Sequence, residues 1–272
     1  MKLIFFGTSD FSRPVFEALK KKGHSPILWN LENSFQDFKN LKPDICVVAA
    51  YGKIIPKEWL EVPKYGFLNV HPSLLPKYRG ASPIQTTILN GDAETGVTII
   101  LMDEKVDHGP IIAKSKIQIS KSKNYRQLER ELAELGAELL IEILPKWTNG
   151  KIKPKEQNHS GATYTKKFSW IDGKIDWSKP AVEIDRQIRA LNPEPGTWTL
   201  WKSRVLKIFN VQTVKSKLSE APGRVMNIEN QILVKCGLDV LILKEIQLEG
   251  RKLLSIKDFI NGHKDFIGSE LT

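Results

Sequence analysis

Cysteine is scarce in this sequence: the 272 residues contain two, and no Cys/His cluster has the spacing of a zinc site. Cys46 and Cys236 each lie in an apolar run typical of a strand, which favours buried thiols in a reducing compartment over a disulfide. No apolar run approaches the roughly 18–20 residues of a membrane span, and the opening MKLIFF is too short for a signal peptide. We therefore expect a cytoplasmic protein with no metal site and no membrane partner.

Phosphate-binding motifs are also missing. The turn GTSDF after the first predicted strand is not the GxGxxG fingerprint of dinucleotide-binding proteins, and no GxxxxGK[ST] phosphate loop occurs. The sequence therefore gives no indication of a nucleotide cofactor. It also contains no internal repeat and no low-complexity segment.

Negative charge is in the minority, with 31 Asp and Glu against 41 Lys and Arg, a net charge of +10. Most of the positive excess follows Gly150. A basic second half is expected if that part binds a polyanion such as a nucleic acid. A soluble protein with a basic surface has the same composition, so charge alone leaves both interpretations open.

Residues 1–150 alternate predicted strands and helices, which favours a Rossmann-like, doubly wound α/β domain with a mostly parallel sheet. The first helix is predicted in DFSRPVFEALKKKG, capped by Asp10 and ended by Gly23. The predicted strands are KLIFFG, PILWN, DICVVAAYG, FLNVH, ETGVTIILMD and PIIAKSKIQI. The longest helix is predicted in NYRQLERELAELGAELLIEIL, with one apolar stripe formed by Leu128, Leu132, Leu135 and Leu139.

A polar segment without periodicity predicts a linker at 151–166, between a catalytic domain at 1–150 and a C-terminal domain at 167–272. Beyond it, AVEIDRQIRAL predicts one amphipathic helix, and short strands separated by turns favour a small, OB-like β-barrel. Four tryptophans of this part are candidates either for stacking on RNA bases or, more commonly, for the barrel core: Trp170, Trp177, Trp198 and Trp201.

Polar side chains stand at the end of one predicted strand, in FLNVHPSLLPKYRGASPIQ. Asn69 and His71 are two residues apart, so they point to the same face, and Pro72 and Pro76 end the strand. Asp107 follows the strand VTIILMD, in the turn EKVDHGP. Ligands of doubly wound sheets bind outside the carboxyl ends of strands, so these side chains converge on one crevice if the two strands are neighbours.

An amide, an imidazole and a carboxylate together suit acyl transfer to an amine. The amide stabilises an oxyanion, the imidazole moves a proton, and the carboxylate fixes its tautomer or relays the proton. No Ser or Cys nucleophile is needed if the amine attacks a bound acyl donor directly. On the residues alone, a histidine at a strand end is more often a structural hydrogen-bonding residue than a catalyst, and Asp107 can be a simple turn residue.

The run LNVHPSLLPKYRGASPIQTTILNGDAETGVTIILMDEKVDHGPII resembles the signature of the folate-dependent formyltransferases. That signature consists of N-x-H at a strand end, S-L-L-P-x-x-R-G, G-x-x-x-x-G-V-T and a D-x-G turn. The resemblance is strongest to family members that act on methionyl-tRNA, through FFGTSDF, VVAAYGKIIP, IDWSKP, IRALNPEPGTW and APGRV. It covers nearly the whole chain.

The resemblance implies that Asn69, His71 and Asp107 are catalytic, that 10-formyltetrahydrofolate donates the formyl group, and that initiator methionyl-tRNA accepts it. A monomer is expected. The implied folate-binding residues are Tyr51, Gly52, Lys53, Ile54, Ile55, Ser73, Leu74, Leu75, Pro76, Met102, Asp103 and Val106. The implied acceptor-binding residues are Gly7, Thr8, Asp10, Phe11, Arg79, Lys153, Lys155, Lys166 and Lys167. Arg79 either contacts phosphate or orders its own loop.

Two features depart from the family pattern. Only LENSFQDFKNLKP follows the second predicted strand, where relatives usually carry a long basic insertion that reaches the tRNA acceptor end. Pro72 replaces a glycine common in the tRNA enzymes, and His-Pro-Ser is familiar from the glycinamide ribonucleotide and sugar formyltransferases. N-formylation of a nucleotide-linked amino sugar is therefore an alternative function. A non-catalytic tRNA-binding homologue is another.

Overall fold

The computed structural model describes residues 1–272 and divides into two compact units. The first unit comprises residues 1–87 and 92–167, and the second comprises residues 88–91 and 168–272. None of the helices combines the length and the hydropathy that crossing a membrane requires.

The first unit is built on a six-stranded sheet in the order β2-β1-β3-β4-β6-β7. The strands are β1 (Leu3–Phe6), β2 (Ile27–Leu28), β3 (Ile45–Val48), β4 (Phe67–His71), β6 (Glu94–Leu101) and β7 (Ile111–Gln118), and a separate parallel pair is formed by β5 (Arg79–Gly80) and β8 (Tyr164–Thr165). The helices are α1 (Ser12–Lys21), α2 (Phe35–Asn40), α3 (Lys57–Leu60), α4 (Pro83–Asn90), which begins in this unit, and α5 (Tyr125–Thr148).

The sheet is mixed: some of its strand pairs are parallel and others are antiparallel. Strands β2, β1, β3 and β4 are parallel, whereas β6 is antiparallel to both of its neighbours, β4 and β7. The loop 102–110 between β6 and β7 is too short for the crossover connection that parallel strands need. The α/β class is confirmed, and the doubly wound pattern ends at β4.

Helix α5 packs on one face of the sheet along a stripe that differs from the predicted one. Its buried residues are Leu128, Leu132, Ala133, Gly136, Ala137, Leu140, Ile143 and Leu144, while the predicted Leu135 and Leu139 are only half-buried. The helix approaches the sheet at Gly136, where an added Cβ would lie 2.6 Å from Val70 Cγ1. This close approach turns the small residues of α5 inward, so that part of the prediction is wrong.

The opposite face carries an aromatic cluster, built around a helix that the sequence analysis missed. In α2, Ser34 Oγ accepts hydrogen bonds from the backbone N–H groups of Gln36 and Asp37. Phe38 of this helix stacks on Trp59 at a centroid distance of 4.5 Å. The N-capping serine, Ser34, was the sequence signal that could have predicted α2. The aromatic cluster anchors the short segment after β2.

The cap predicted for α1 is also wrong. Ser9 Oγ, rather than the Asp10 carboxylate, accepts from the backbone N–H of Ser12, at 3.3 Å. The Asp10 side chain is exposed and lies 4.0 Å from Arg13. The helix ends before Gly23, which has a φ of +84°, as predicted.

Residues 151–166 belong to the first unit, and their backbone hydrogen-bonds to the rest of it at two places. The backbone of Lys155 exchanges both hydrogen bonds with Ile111, at 2.7 and 2.8 Å. Farther along, Thr163 O accepts from the N–H of Arg79 at 2.8 Å, and Thr163 Oγ1 accepts from the N–H of Tyr78 at 2.8 Å. These bonds place the predicted linker beside the loop that follows β4.

The second unit contains a five-stranded antiparallel sheet in the order β11-β12-β13-β10-β9, and β14 pairs with β13. Its elements are α6 (Ala181–Leu191), β9 (Trp198–Trp201), β10 (Arg204–Val214), β11 (Val225–Ile228), β12 (Gln231–Lys235), β13 (Val240–Leu248), β14 (Leu254–Ser255) and α7 (Ile256–Gly262). The predicted helix at α6 is confirmed. Helix α7, capped by Ser255, was missed.

Three of the four tryptophans singled out in the second unit are core residues. Trp177, Trp198 and Trp201 are buried, and Trp177 Nε1 donates to Thr199 Oγ1 at 3.0 Å. Trp170 is 43% exposed and stacks on Trp198 at a centroid distance of 5.1 Å. Trp170 is thus the most exposed of the four, and Lys207 Nζ lies over its ring, 5.2 Å from the centroid.

Both cysteines are free and buried, as predicted. Burial raises the pKa of the Cys236 thiol to about 12. Burial also raises the pKa of the Cys46 thiol, which lies in β3. Both side chains are therefore protonated and unreactive at neutral pH.

Candidate active site

The three predicted catalytic side chains lie together in the first unit. Asn69 and His71 share one face of β4, and Asp107 lies in the loop 102–110, hereafter the Asp107 loop. Asn69 Nδ2 donates to Asp107 Oδ1 at 3.1 Å, and His71 Nδ1 lies 3.4 Å from the same oxygen. The structure thus brings the amide, the imidazole and the carboxylate into one cluster.

Asp107 reaches this cluster by a route that the sequence analysis did not foresee. Because β6 runs antiparallel to its neighbour β4, the carboxyl end of β6 lies beside the amino end of β4. The Asp107 loop instead folds back, and its neck is closed by a hydrogen bond from the N–H of Leu101 to the carbonyl of Pro110 at 2.9 Å. Loop folding, rather than adjacent strand ends, therefore assembles the site.

His71 is 4% exposed, and both of its ring nitrogens face oxygen atoms. Nε2 lies 3.0 Å from the carbonyl oxygen of Tyr78, and Nδ1 faces the Asp107 carboxylate. Both partners carry acceptor oxygens, so the ring is held between Tyr78 and Asp107. The second oxygen of Asp107, Oδ2, accepts from the backbone N–H of Gly80 at 2.8 Å.

The cluster lies in the wall of a cavity of about 500 Å³, a size typical of small-molecule sites. Ile54 and Val106 line this cavity although they are 75% and 53% exposed, so it presents open apolar surface next to the polar cluster. The predicted folate-binding residues that line it are Tyr51, Gly52, Lys53, Ile54, Ile55, Met102, Asp103 and Val106. No group of three or more His, Cys, Asp or Glu side chains is arranged to hold a metal ion.

Comparison with protein families accounts for both units. Residues 5–144 match the family described as "Formyl transferase", and residues 167–264 match "Formyl transferase, C-terminal domain". The chain belongs to the formyl transferase family. The methionyl-tRNA formyltransferase of Caldanaerobacter subterraneus subsp. tengcongensis is 37% identical, in an alignment of 300 positions that covers 97% of each chain.

Two solved structures share the fold of this formyl transferase. HypX from Aquifex aeolicus, in complex with tetrahydrofolic acid, has a TM-score of 0.76 at 18% identity, and the match covers 96% of this chain and 47% of HypX. The chain thus spans about half the length of HypX. The N-formyltransferase from Helicobacter canadensis, in complex with folinic acid and dTDP-3-aminofucose, has a TM-score of 0.70 at 20% identity, covering 89% of this chain and 99% of that one.

Four of the predicted folate-binding residues of this formyl transferase do not line the cavity: Ser73, Leu74, Leu75 and Pro76. Ser73 Oγ donates to the carbonyl of Lys77 at 2.6 Å, and the N–H of Leu75 donates to Thr98 Oγ1 at 3.1 Å. Lys114 Nζ donates to the carbonyl of Leu75, and burial lowers the pKa of this lysine. The segment therefore shapes the loop after β4, behind the cavity wall.

The predicted acceptor-binding residues are divided between surface and interior. Gly7, Thr8, Asp10 and Phe11 follow β1 and do not line the cavity; Phe11 is buried in the core. Lys153, Lys155 and Lys166 are exposed, and Lys167 is exposed and lines the cavity. Arg79 is 1% exposed and bonds to side chains within the first unit, so it meets no phosphate in this conformation.

The short segment after β2 is tied to the cavity wall. Tyr51 Oη donates to Asn30 Oδ1 at 2.9 Å and accepts from the N–H of Leu31 at 2.7 Å. Lys53 pairs with Glu32 at 2.8 Å, and this contact raises the pKa of Lys53 and lowers that of Glu32. In this formyl transferase, the segment therefore braces the cavity wall through Tyr51 and Lys53 and does not line the cavity itself.

Gln157 is a residue of the site that the sequence analysis missed. Its buried side chain contacts the Asp107 loop. A glutamine in a polar segment without periodicity gives no sequence signal of such a contact. The hydrogen bonds of residues 151–166 to β7 and to the loop after β4 bring it there.

Proposed function

We propose that this chain transfers the formyl group of 10-formyltetrahydrofolate to the α-amine of methionine on initiator methionyl-tRNA, which supplies N-formylmethionyl-tRNA for translation initiation. The observation that carries the proposal is the Asn69, His71 and Asp107 cluster in the wall of a cavity of about 500 Å³. The 37% identity to a methionyl-tRNA formyltransferase across 97% of the chain supports the choice of acceptor.

In the proposed reaction, the neutral amine attacks the formyl carbon, and negative charge develops on the formyl oxygen. An amide carries two N–H donors, so Asn69 bonds Asp107 with one and directs the other to the formyl oxygen. His71 stabilises the same oxygen from Nδ1, because its Nε2 is held by the carbonyl of Tyr78. Asp107 orients His71 and accepts the proton of the amine, directly or through water. The folate nitrogen takes up a proton as its bond to the formyl carbon breaks, which leaves tetrahydrofolate and the N-formylated amine.

The residues around the cavity suit a folate. The open side chains of Ile54 and Val106, with Met102, provide apolar surface for the ring system. When bound, 10-formyltetrahydrofolate supplies the formyl group. Holding the donor and the amine together in line provides roughly 7–11 kcal/mol of the barrier reduction.

We place tRNA contacts on exposed lysines and on the second unit, whose antiparallel sheet we propose is an OB-like barrel. Replacing Lys153, Lys155, Lys166 and Lys167 by alanine is expected to weaken tRNA binding. Each lost phosphate contact reduces the slope of log affinity against log salt by about 0.7–0.9, so the loss of all four contacts lowers the slope by about 2.8–3.6. Binding titrations at several salt concentrations measure it.

A matched variant replaces Lys20, Lys21, Lys22 and Lys39. These exposed lysines lie at the C-terminal ends of α1 and α2. Both helices run antiparallel to the parallel strands, so these ends lie beside the amino ends of the strands, away from the site. Its salt slope should equal that of the wild type. An unchanged slope in the first variant would remove the residues of the 151–167 segment from the RNA interface.

A nucleotide-linked amino sugar is the second candidate acceptor. It is favoured by Pro72 in the His-Pro-Ser sequence and by the fold shared with the Helicobacter canadensis enzyme. The deciding experiment offers methionyl-tRNA and a dTDP-linked amino sugar as parallel acceptors with 10-formyltetrahydrofolate. Transfer to the tRNA alone is expected. Transfer to the sugar alone would overturn the acceptor, and binding of tRNA without any transfer would indicate a non-catalytic homologue.

The proposal also assigns the protein to the cytoplasm, as a monomer. Two buried, protonated thiols suit that reducing compartment.

A further inference from the structure

Gln157 bonds directly to the backbone of the Asp107 loop. Its side chain is 4% exposed, and Nε2 donates to the carbonyl of Asp107 at 2.9 Å and to the carbonyl of Gly109 at 2.7 Å. One side-chain amide therefore uses both of its N–H groups on carbonyls that flank His108. This double contact fixes the backbone of the residue that carries the carboxylate.

Asp107 needs such support because its backbone is in the left-handed region, with a φ of +48°. Residues with a side chain adopt this region uncommonly, although aspartate does so more readily than most, so contacts that hold Asp107 here stabilise its position. The N–H of Gly80 holds the Asp107 carboxylate at Oδ2, and Gln157 holds the backbone carbonyl. The residue is thus restrained at both ends, with Oδ1 directed to Asn69 and His71.

Arg79 determines which way the Gln157 amide faces. Its NH2 group donates to Gln157 Oε1 at 2.7 Å, and a guanidinium can only donate. The amide oxygen must therefore face Arg79, and the NH2 group of Gln157 must face the loop. Arg79 is itself held by His159 and Tyr164. It directly precedes Gly80 in β5, so these two neighbouring residues support Asp107 at its backbone, through Gln157, and at its carboxylate.

We infer that Gln157 is a positioning residue for formyl transfer, holding the Asp107 backbone so that its carboxylate reaches Asn69 and His71, with Arg79 orienting the amide. This inference rests on the proposed function for its reaction. Glutamate at position 157 would have the same size but, when ionised, only acceptors. It would turn an oxygen toward two carbonyls and release the loop.

The test compares Gln157→Glu with a matched control, Gln187→Glu. Gln187 makes the same kind of double contact in the second unit, donating to the carbonyls of Asp172 at 2.9 Å and Lys174 at 3.0 Å. Since a misplacement of about 1 Å costs up to about 10²-fold, Q157E should lower kcat about 10–100-fold, with each KM changed by less than about 3-fold. Q187E should keep kcat within about 2-fold of the wild type.

A double variant separates positioning from general stability. If Gln157 acts through Asp107, then adding Q157E to Asp107→Asn should lower the residual kcat by less than about 2-fold. A full additive loss would show that Gln157 acts elsewhere and would overturn the inference. A folded Q157E enzyme with wild-type kcat would do the same.

The crystal structure of Q157E, or of Gln157→Met if Q157E does not fold, provides a readout that needs no turnover. The Asp107 carboxylate should leave hydrogen-bonding distance of Asn69. An unmoved carboxylate would overturn the inference about Gln157. Failure of the wild type to formylate either acceptor would instead refute the proposed function, so the two failures are distinguishable.

Discussion

Replacing Asp107 by Asn, or His71 by Ala, is expected to lower turnover by about 10²–10⁴-fold, the range for loss of a general acid or base. The Asp107 carboxylate accepts from the Gly80 N–H on one oxygen and faces Asn69 and His71 with the other. An asparagine has one side-chain oxygen. It can therefore accept either from the Gly80 N–H or from Asn69 and His71, but not from both. Its NH2 group then faces the remaining donor.

The effect should appear in kcat rather than in tRNA binding, because the cluster lies in the wall of the 500 Å³ cavity and affinity for a nucleic acid arises from many phosphate contacts. Single-turnover formyl transfer and tRNA titration measure the two separately. The exposed Asp37 of α2 provides a control, and Asp37→Asn should retain wild-type turnover. Near-normal kcat in either site variant would show that the catalytic roles are wrongly assigned.

Replacing Gly109 by Ala should reduce both stability and turnover. An added Cβ would lie 1.9 Å from the carbonyl oxygen of Leu101, and that obstacle is backbone rather than a flexible side chain. The neck of the Asp107 loop must then open, at a cost of about 1–3 kcal/mol, or roughly 2–4 °C in Tm per kcal/mol. Asp107 lies two residues away, so we also expect up to about a 10²-fold loss of kcat.

Thermal unfolding and kcat, measured on the same preparations, check this prediction. Gly161→Ala is the matched control in the same unit, because its nearest neighbour would be Pro76 Cγ at an ordinary 3.8 Å. It should lie within about 0.5 kcal/mol of the wild type. Equal behaviour of the two variants would mean that the neck of the loop does not hold Asp107 in place.

Local periodicity was sufficient for the features that depend on near neighbours in the chain. The alternation of a strand placed Asn69 and His71 on one face of β4, and the helix period identified α5 and α6. The spacing of the signature between Asn69 and Asp107 also indicated the formyl transferase family, which residues 5–144 and 167–264 match.

Only the tertiary structure decided how these elements meet. The antiparallel direction of β6 meant that Asp107 had to return through a folded loop, and the close approach at Gly136 set the buried face of α5. Gln157 lies in a segment without a periodic pattern. It contacts that loop because residues 151–166 hydrogen-bond to β7 and to the loop after β4. Such contacts join residues far apart in the chain, so their energies are absent from any local window of the sequence.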